Sequence, residues 1–275
     1  MRLDTIYLLF YVDDIIITGN YLAFITKFTV EFNSEFASKD LGPFSYFFGL
    51  EALPTTNGLF ISQLKYTLDI FIQALLLDSK LVPTPIVISQ HLFVDGSLFS
   101  NPTLYRSLIG VLQYLTITRL DIAHAVNSIS QFLHAPTDDK FIVVKSILCY
   151  VKGIIHFGLT FRLSVTPGAL VAYSNADWIS CPDTRRSTSG YSIYLGDNLI
   201  SLSAKKQPTT SCSNCANCES EYRTLVHIVT ELIWLTHLVC DLYLLIPQPL
   251  VLLCDNKSAI FLNSNPISHK RAKHV

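Results

Sequence analysis

The sequence predicts a chain of two folded parts, mixed α/β and α+β in class. Three observations carry this: a strand pair at the start, helical periodicity in the middle, and a strand-strand-strand-helix-strand-helix order after residue 167. Ile6–Val12 and Ile15–Thr18 are rich in β-branched and aromatic residues and meet at Asp13-Asp14. Tyr21–Phe36 places Leu22, Ile25, Phe28, Phe32 and Phe36 at near-helical spacing. Ser45–Glu51 and Leu59–Ser62 read as a strand pair joined by Pro54-Thr-Thr-Asn-Gly58. Gln63–Leu77 returns to a helical period, which ends before Pro83 and Pro85.

Leu81–Pro102, rich in proline and serine, reads as a linker. Leu104–Leu115, Ile122–Leu133 and Lys140–Lys152 follow as three amphipathic helices, with Pro136 and Gly153 as breakers. Composition shifts again at Pro167-Gly168. Leu170–Ser174, Tyr191–Leu195 and Leu199–Ser203 then read as strands, Glu219–Leu242 as a long helix, Leu250–Cys254 as a strand, and a helix starts at Asn256. The boundaries expected are 1–80, 81–166 and 167–275.

Half of the 275 residues are hydrophobic and 15% are charged, so core material is plentiful and disorder is not expected. A formal charge of −1 argues against a strongly basic nucleic-acid binder but leaves room for a local basic groove. Arg185-Arg186, Lys205-Lys206 and His269-Lys-Arg-Ala-Lys-His274 are candidate phosphate contacts, or plain solvated surface. No signal peptide is read at the start, and the apolar stretch Leu232–Leu253 is broken by His237, Asp241, Pro247 and Pro249, against a membrane span. Seven cysteines without a regular framework point to a reducing compartment, cytoplasmic or nuclear rather than secreted. Cys212, Cys215 and Cys218 form a C-x2-C-x2-C run that lacks a fourth ligand at zinc or iron–sulfur spacing.

Asp13 and Asp14 are the first candidate site. Adjacent carboxylates between apolar strands are costly unless a cation neutralises them, and a hairpin tip would let them hold Mg²⁺ against a phosphate. Two-metal phosphoryl transfer needs such a cluster, because the ions stabilise both attacking and leaving oxygens. A plain Asp-Asp turn is the alternative for the dipeptide taken alone.

Tyr11-Val12-Asp13-Asp14 resembles the signature hairpin of reverse transcriptases. Leu41-Gly-Pro-Phe-Ser-Tyr-Phe-Phe-Gly-Leu-Glu51, Tyr105-Arg-Ser-Leu-Ile-Gly-Val-Leu-Gln-Tyr-Leu-Thr116, Thr118-Arg-Leu-Asp-Ile122, Ala172-Tyr-Ser-Asn-Ala-Asp-Trp178, Asp183-Thr-Arg-Arg-Ser-Thr-Ser-Gly190 and Cys254-Asp255-Asn256 follow in order. This order is similar to the Ty1/copia-type retrotransposon polyprotein, across the C-terminal part of reverse transcriptase and the ribonuclease H domain. The resemblance implies a partial palm at 1–80, a linker with helical thumb or connection at 81–166, and a ribonuclease H-like domain at 167–275. It also implies an RNA template and an RNA–DNA hybrid as partners, Mg²⁺ as cofactor, and the remainder of a polyprotein around the chain.

The resemblance carries Glu221 onto the helix acid of ribonuclease H and Asp255 onto the acid of the following strand. The first-strand acid falls on Asn175, a neutral substitute. Asp177 lies on the same strand face but about 6.6 Å further along. The family's fourth acid lies beyond the pair matched by Lys273-His274, and the third polymerase acid lies upstream of Tyr11, so this stretch is expected to be part of a longer polyprotein. Cys212–Cys218 is about three residues longer than the family pattern and is expected to disturb Glu221. Without the resemblance, Glu221 reads as a dipole-favoured helix acid and Asp255 as a strand-end turn residue. The expectation is a reverse transcriptase and ribonuclease H fragment, inactive as an isolated chain. A non-catalytic nucleic-acid-binding remnant or a pseudogene product is the alternative.

Overall fold

The computed structural model describes residues 4–74, 79–86, 96–164, 168–177, 184–210, 216–244 and 246–264. Strands β1 (Ile6–Tyr11) and β2 (Asp14–Gly19) pair antiparallel, with Tyr11 opposite Asp14, and α1 (Leu22–Glu35) follows. The stretch 45–51 is not one strand. Phe48 and Gly49 take positive φ of 49° and 75° and fold it back, giving β3 (Tyr46–Phe47) and β4 (Leu50–Thr55).

β5 (Gly58–Ser62) completes a hairpin with β4 and leads into α2 (Leu64–Gln73). A strand that periodicity does not announce, β6 (Leu159–Arg162), pairs antiparallel with β5, so the sheet order is β3-β4-β5-β6. Gly58 permits that pairing. Its φ is +153°, and a Cβ there would stand 1.9 Å from the Phe161 carbonyl oxygen.

The middle of the chain holds α3 (Pro102–Leu115), a 3₁₀ turn at Leu120–Ile122, α4 (Ala123–Ser130) and α5 (Asp138–Gly153). Asn101 caps α3 by accepting from the Leu104 N–H at 3.0 Å, with Pro102 at the first turn. Tyr105, Ile109, Leu112, Ile122, Ile129, Ile147 and Leu148 are fully buried, and Ile70 and Phe71 of α2 join the same core. The core therefore crosses the boundary expected near residue 80. Arg119, 3% exposed, forks onto Asp121 at 3.0 and 2.8 Å and donates to the Ile154 carbonyl at 3.0 Å, tying the turn to the end of α5.

The last part is a second four-stranded sheet, β10-β7-β8-β9. β7 (Leu170–Asp177), β8 (Thr188–Leu195) and β9 (Asn198–Lys206) form an antiparallel meander. β10 (Val251–Cys254) joins β7 in parallel, with Cys254 beside Ser174, and α7 (Lys257–Ser264) follows.

α6 (Ala216–Asp241) lies across the sheet, its Ile228, Leu232 and Leu235 packed with Leu170, Ala172 and Ile193. Residues Asn217–Asp241 are long and apolar enough to cross a membrane by length and composition alone, and one third of an apolar 18-residue window within them is buried. The two parts touch: Asn198 accepts from the Arg162 N–H at 2.7 Å and donates to its carbonyl at 3.0 Å, and the Tyr7 hydroxyl donates to the Leu242 carbonyl.

Candidate active sites

The turn between β1 and β2 consists of Val12 and Asp13, so Asp13 sits at the tip and Asp14 opens the second strand. Val12 has φ of 50° and is 87% exposed; this first turn position is one that hairpins reserve for glycine, and holding valine there stores strain. Both acids are exposed. Tyr11 anchors the tip edge-on against Phe47 and Phe48, 6.3 and 4.3 Å between centroids. Phe48 in turn meets Tyr114 of α3, whose hydroxyl donates to the Phe48 carbonyl. An aromatic relay thus connects the hairpin to the helical core. Among the described residues no further acid, histidine or cysteine completes a three-ligand group with Asp13 and Asp14.

The second site forms where α6 begins and β10 ends. Ligand atoms of Glu221, Cys254 and Asp255 all lie within 4.8 Å of one another. Glu221 is 4% exposed; its Oε1 accepts from the Ala176 N–H at 3.0 Å, while Oε2 is buried without a partner. Burial pushes the Glu221 carboxyl above its usual range, the Ala176 N–H pulls it back, and the Asp255 charge adds to the rise.

A buried polar clamp holds this helix turn in place. Gln207 donates to Ser189 Oγ and to the Ser220 carbonyl, both at 2.9 Å, and Thr224 donates to Ser189 Oγ at 2.7 Å. The Arg223 guanidinium pairs with Glu219 and reaches Thr209. Glu221 stands beside Asp255; Cys212 and Cys215 lie outside the described residues, as do His269–His274, and Cys218 is buried.

Asn175 does not share the face of Glu221. Burial alternates along β7, with Ser174 and Ala176 turned toward α6 and Asn175 and Asp177 exposed on the other face. The Cys254–Ser174 pairing nevertheless makes Asn175 and Asp255 the next residues on adjacent strands. Sequence reading missed Cys254 and the orphaned Ser174 hydroxyl, because neither residue type signals metal binding at such spacing.

The raised Glu221 carboxyl gives a stability prediction. Its folded pKa lies above the unfolded value, so its contribution is fully present below the unfolded pKa and is lost as pH rises through the folded one. With metal chelated, Glu221→Gln is expected to unfold at higher temperature than the parent near neutral pH, the two converging in acid. Parallel melts across pH check this; an equal gap at every pH would contradict it.

Comparison with known proteins identifies the class first. Residues 3–88 match the family model "Reverse transcriptase (RNA-dependent DNA polymerase)". The chain is 40% identical over 271 residues to the retrovirus-related Pol polyprotein from transposon RE2 of Arabidopsis thaliana, covering 98% of this chain and 18% of that protein. It is 33% identical over 284 residues to the Pol polyprotein from transposon TNT 1-94 of Nicotiana tabacum, covering 98% and 21%. An uncharacterized mitochondrial protein of Arabidopsis thaliana is 42% identical over 228 residues, covering 83% of this chain and 93% of its own length. No solved structure matches. The chain belongs to the Ty1/copia-type retrotransposon Pol polyproteins and spans 18% of the length of the RE2 relative.

Proposed function

We propose that the chain is the reverse transcriptase–ribonuclease H segment of such a polyprotein. Residues 1–80 are part of the palm, 81–166 the linker and helical thumb or connection, and 167–275 a ribonuclease H-like domain. The observation that carries the reading is the hairpin, which presents Asp13 and Asp14 together at an exposed tip. The exposure of Leu9 and Phe10, and an α1 without a buried residue, fit a larger polyprotein that covers this face.

The donor sets suit a divalent ion: exposed paired carboxylates at the tip, and at the second site an orphaned buried carboxylate oxygen beside a second acid. Asp13 and Asp14 would hold Mg²⁺ for nucleotidyl transfer on an RNA template, and Glu221 and Asp255 for hydrolysis of RNA in an RNA–DNA hybrid. A bound ion supplies charge stabilisation to the attacking and leaving oxygens. This chain's own residues do the positioning: Ala176 N–H orients one Glu221 oxygen, and the aromatic relay fixes the hairpin. A second reading, hybrid binding without turnover, is favoured by Asn175 in place of an acid.

Arg185, Arg186, Lys205 and Lys206 gather at the same sheet end, since Thr188 pairs with both Asp177 and Lys206. The 275-residue chain is expected to bind an RNA–DNA hybrid with strong salt dependence, and to extend no primer on RNA, since the described residues offer the tip acids no third carboxylate. Arg185→Ala with Lys205→Ala should lower the log–log salt slope by about 2. Absence of hybrid binding, or extension abolished by Asp13→Asn, would overturn this account.

A further inference from the structure

The strand end that bears Asp255 also bears a thiol. We propose that Glu221, Cys254 and Asp255 form a site for a single thiophilic divalent cation, Zn²⁺ or its analogue Cd²⁺, held in preference to Mg²⁺. The three ligand atoms already lie within 4.8 Å of one another. Zinc bonded at about 2.0–2.3 Å separates tetrahedral donors by about 3.4–3.6 Å, so a closure of about 1 Å completes the contact. Asp255 is exposed and can supply that movement.

Two orphaned polar atoms point to a ligand, one on a member of the cluster and one outside it. Glu221 is 4% exposed, and its Oε2 has no donor. A buried carboxylate oxygen left unpaired is costly, and a cation relieves the cost directly. Ser174 is 8% exposed, its hydroxyl is likewise unpartnered, and it stands beside Cys254 in the parallel register. Paired residues of parallel strands face the same side. Cys254 accordingly packs with Leu225 and Ala259 on the α6 side, where Glu221 enters.

The thiol decides which ion. Mg²⁺ demands hard oxygen ligands in octahedral order and keeps its waters, whereas thiolate selects zinc-like ions. On binding, the Cys254 S–H bond breaks, its proton leaves to solvent, and the sulfur lone pair forms the S–metal bond. Thiolate and two carboxylates then place three negative charges on a doubly charged ion, with a fourth position open to water. A soft ion seated here takes the carboxylates that Mg²⁺ would need. The site shares Glu221 and Asp255 with the hydrolase reading, and metal titration tests the ion preference while hybrid cleavage tests that reading.

The test is Cd²⁺ titration of the reduced, chelator-stripped full chain, followed by the ultraviolet sulfur-to-cadmium charge-transfer band, with Zn²⁺ and Mg²⁺ as competitors. A band saturating at one equivalent, displaced by Zn²⁺ and not by excess Mg²⁺, is expected. Cys254→Ser and Cys254→Ala should abolish it, and Glu221→Gln should weaken Cd²⁺ binding at least tenfold, with circular dichroism confirming the fold. Cys212→Ser with Cys215→Ser should leave the band intact. A band that survives both Cys254 substitutions, or that vanishes with the Cys212/Cys215 pair, or displacement by Mg²⁺ as easily as by Zn²⁺, would overturn the proposal.

Discussion

Arg119→Ala is expected to destabilise the helical core by about 3 kcal/mol, the low end of the cost of breaking a buried ion pair. Arg119 is almost wholly buried, while 35% of the Asp121 side chain remains exposed, and water there screens part of the attraction. The guanidinium makes three contacts, two to Asp121 and one to the Ile154 carbonyl, so truncation leaves that carbonyl without its donor and the Asp121 carboxylate with the Tyr150 hydroxyl but no countercharge. Lysine cannot reproduce the fork, and Arg119→Lys should fall between.

The pH dependence carries the sign. Burial alone would raise the Asp121 carboxyl, but the hydrogen bond and charge of Arg119 hold it below its ordinary value of 3.8. A depressed folded pKa contributes stability that is present above the unfolded pKa and lost as pH falls through the folded one. The parent should therefore lose stability in acid that Arg119→Ala has already lost. Urea midpoints with unchanged slope measure this; a cost below about 1 kcal/mol would mean that the pair is ornamental to the core.

Most elements were legible because their periods are strong. The helices at 102–115 and 138–153, the meander of β7, β8 and β9, and the parallel β10 follow the apolar pattern within a few residues. β6 was not legible. Four residues, Leu159–Arg162, carry too little pattern, and their pairing with β5 spans about a hundred residues of chain that local reasoning cannot bridge. Gly58 was the available signal, read as a turn glycine when it also makes room for the Phe161 carbonyl. Asp13 and Asp14 stood out because charge interrupts apolar strands. Cys254 did not, since a cysteine in an apolar strand reads as core until its register beside Ser174 turns it toward Glu221.

The charge at the second site sets the remaining expectation. Two Mg²⁺ ions bring four positive charges, and Glu221 and Asp255 return two negative ones, because Asn175 is neutral. We expect the unmodified chain to leave an RNA–DNA hybrid intact in Mg²⁺. Asn175 and Asp255 follow the last registered pair on neighbouring strands, about 5 Å apart in backbone, so Asn175→Asp would set a third carboxylate beside Asp255, approaching from the strand face opposite Glu221. Affinity for a divalent ion, read by Mn²⁺ electron paramagnetic resonance, should rise about tenfold, or about 1.4 kcal/mol. Cleavage should recover little, since three carboxylates still leave one positive charge of two ions unmatched, and both ions are needed at the attacking and leaving oxygens. Efficient Mg²⁺-dependent cleavage by the unmodified chain, lost on Asp255→Asn, would show that the site tolerates Asn175 and that charge does not limit it.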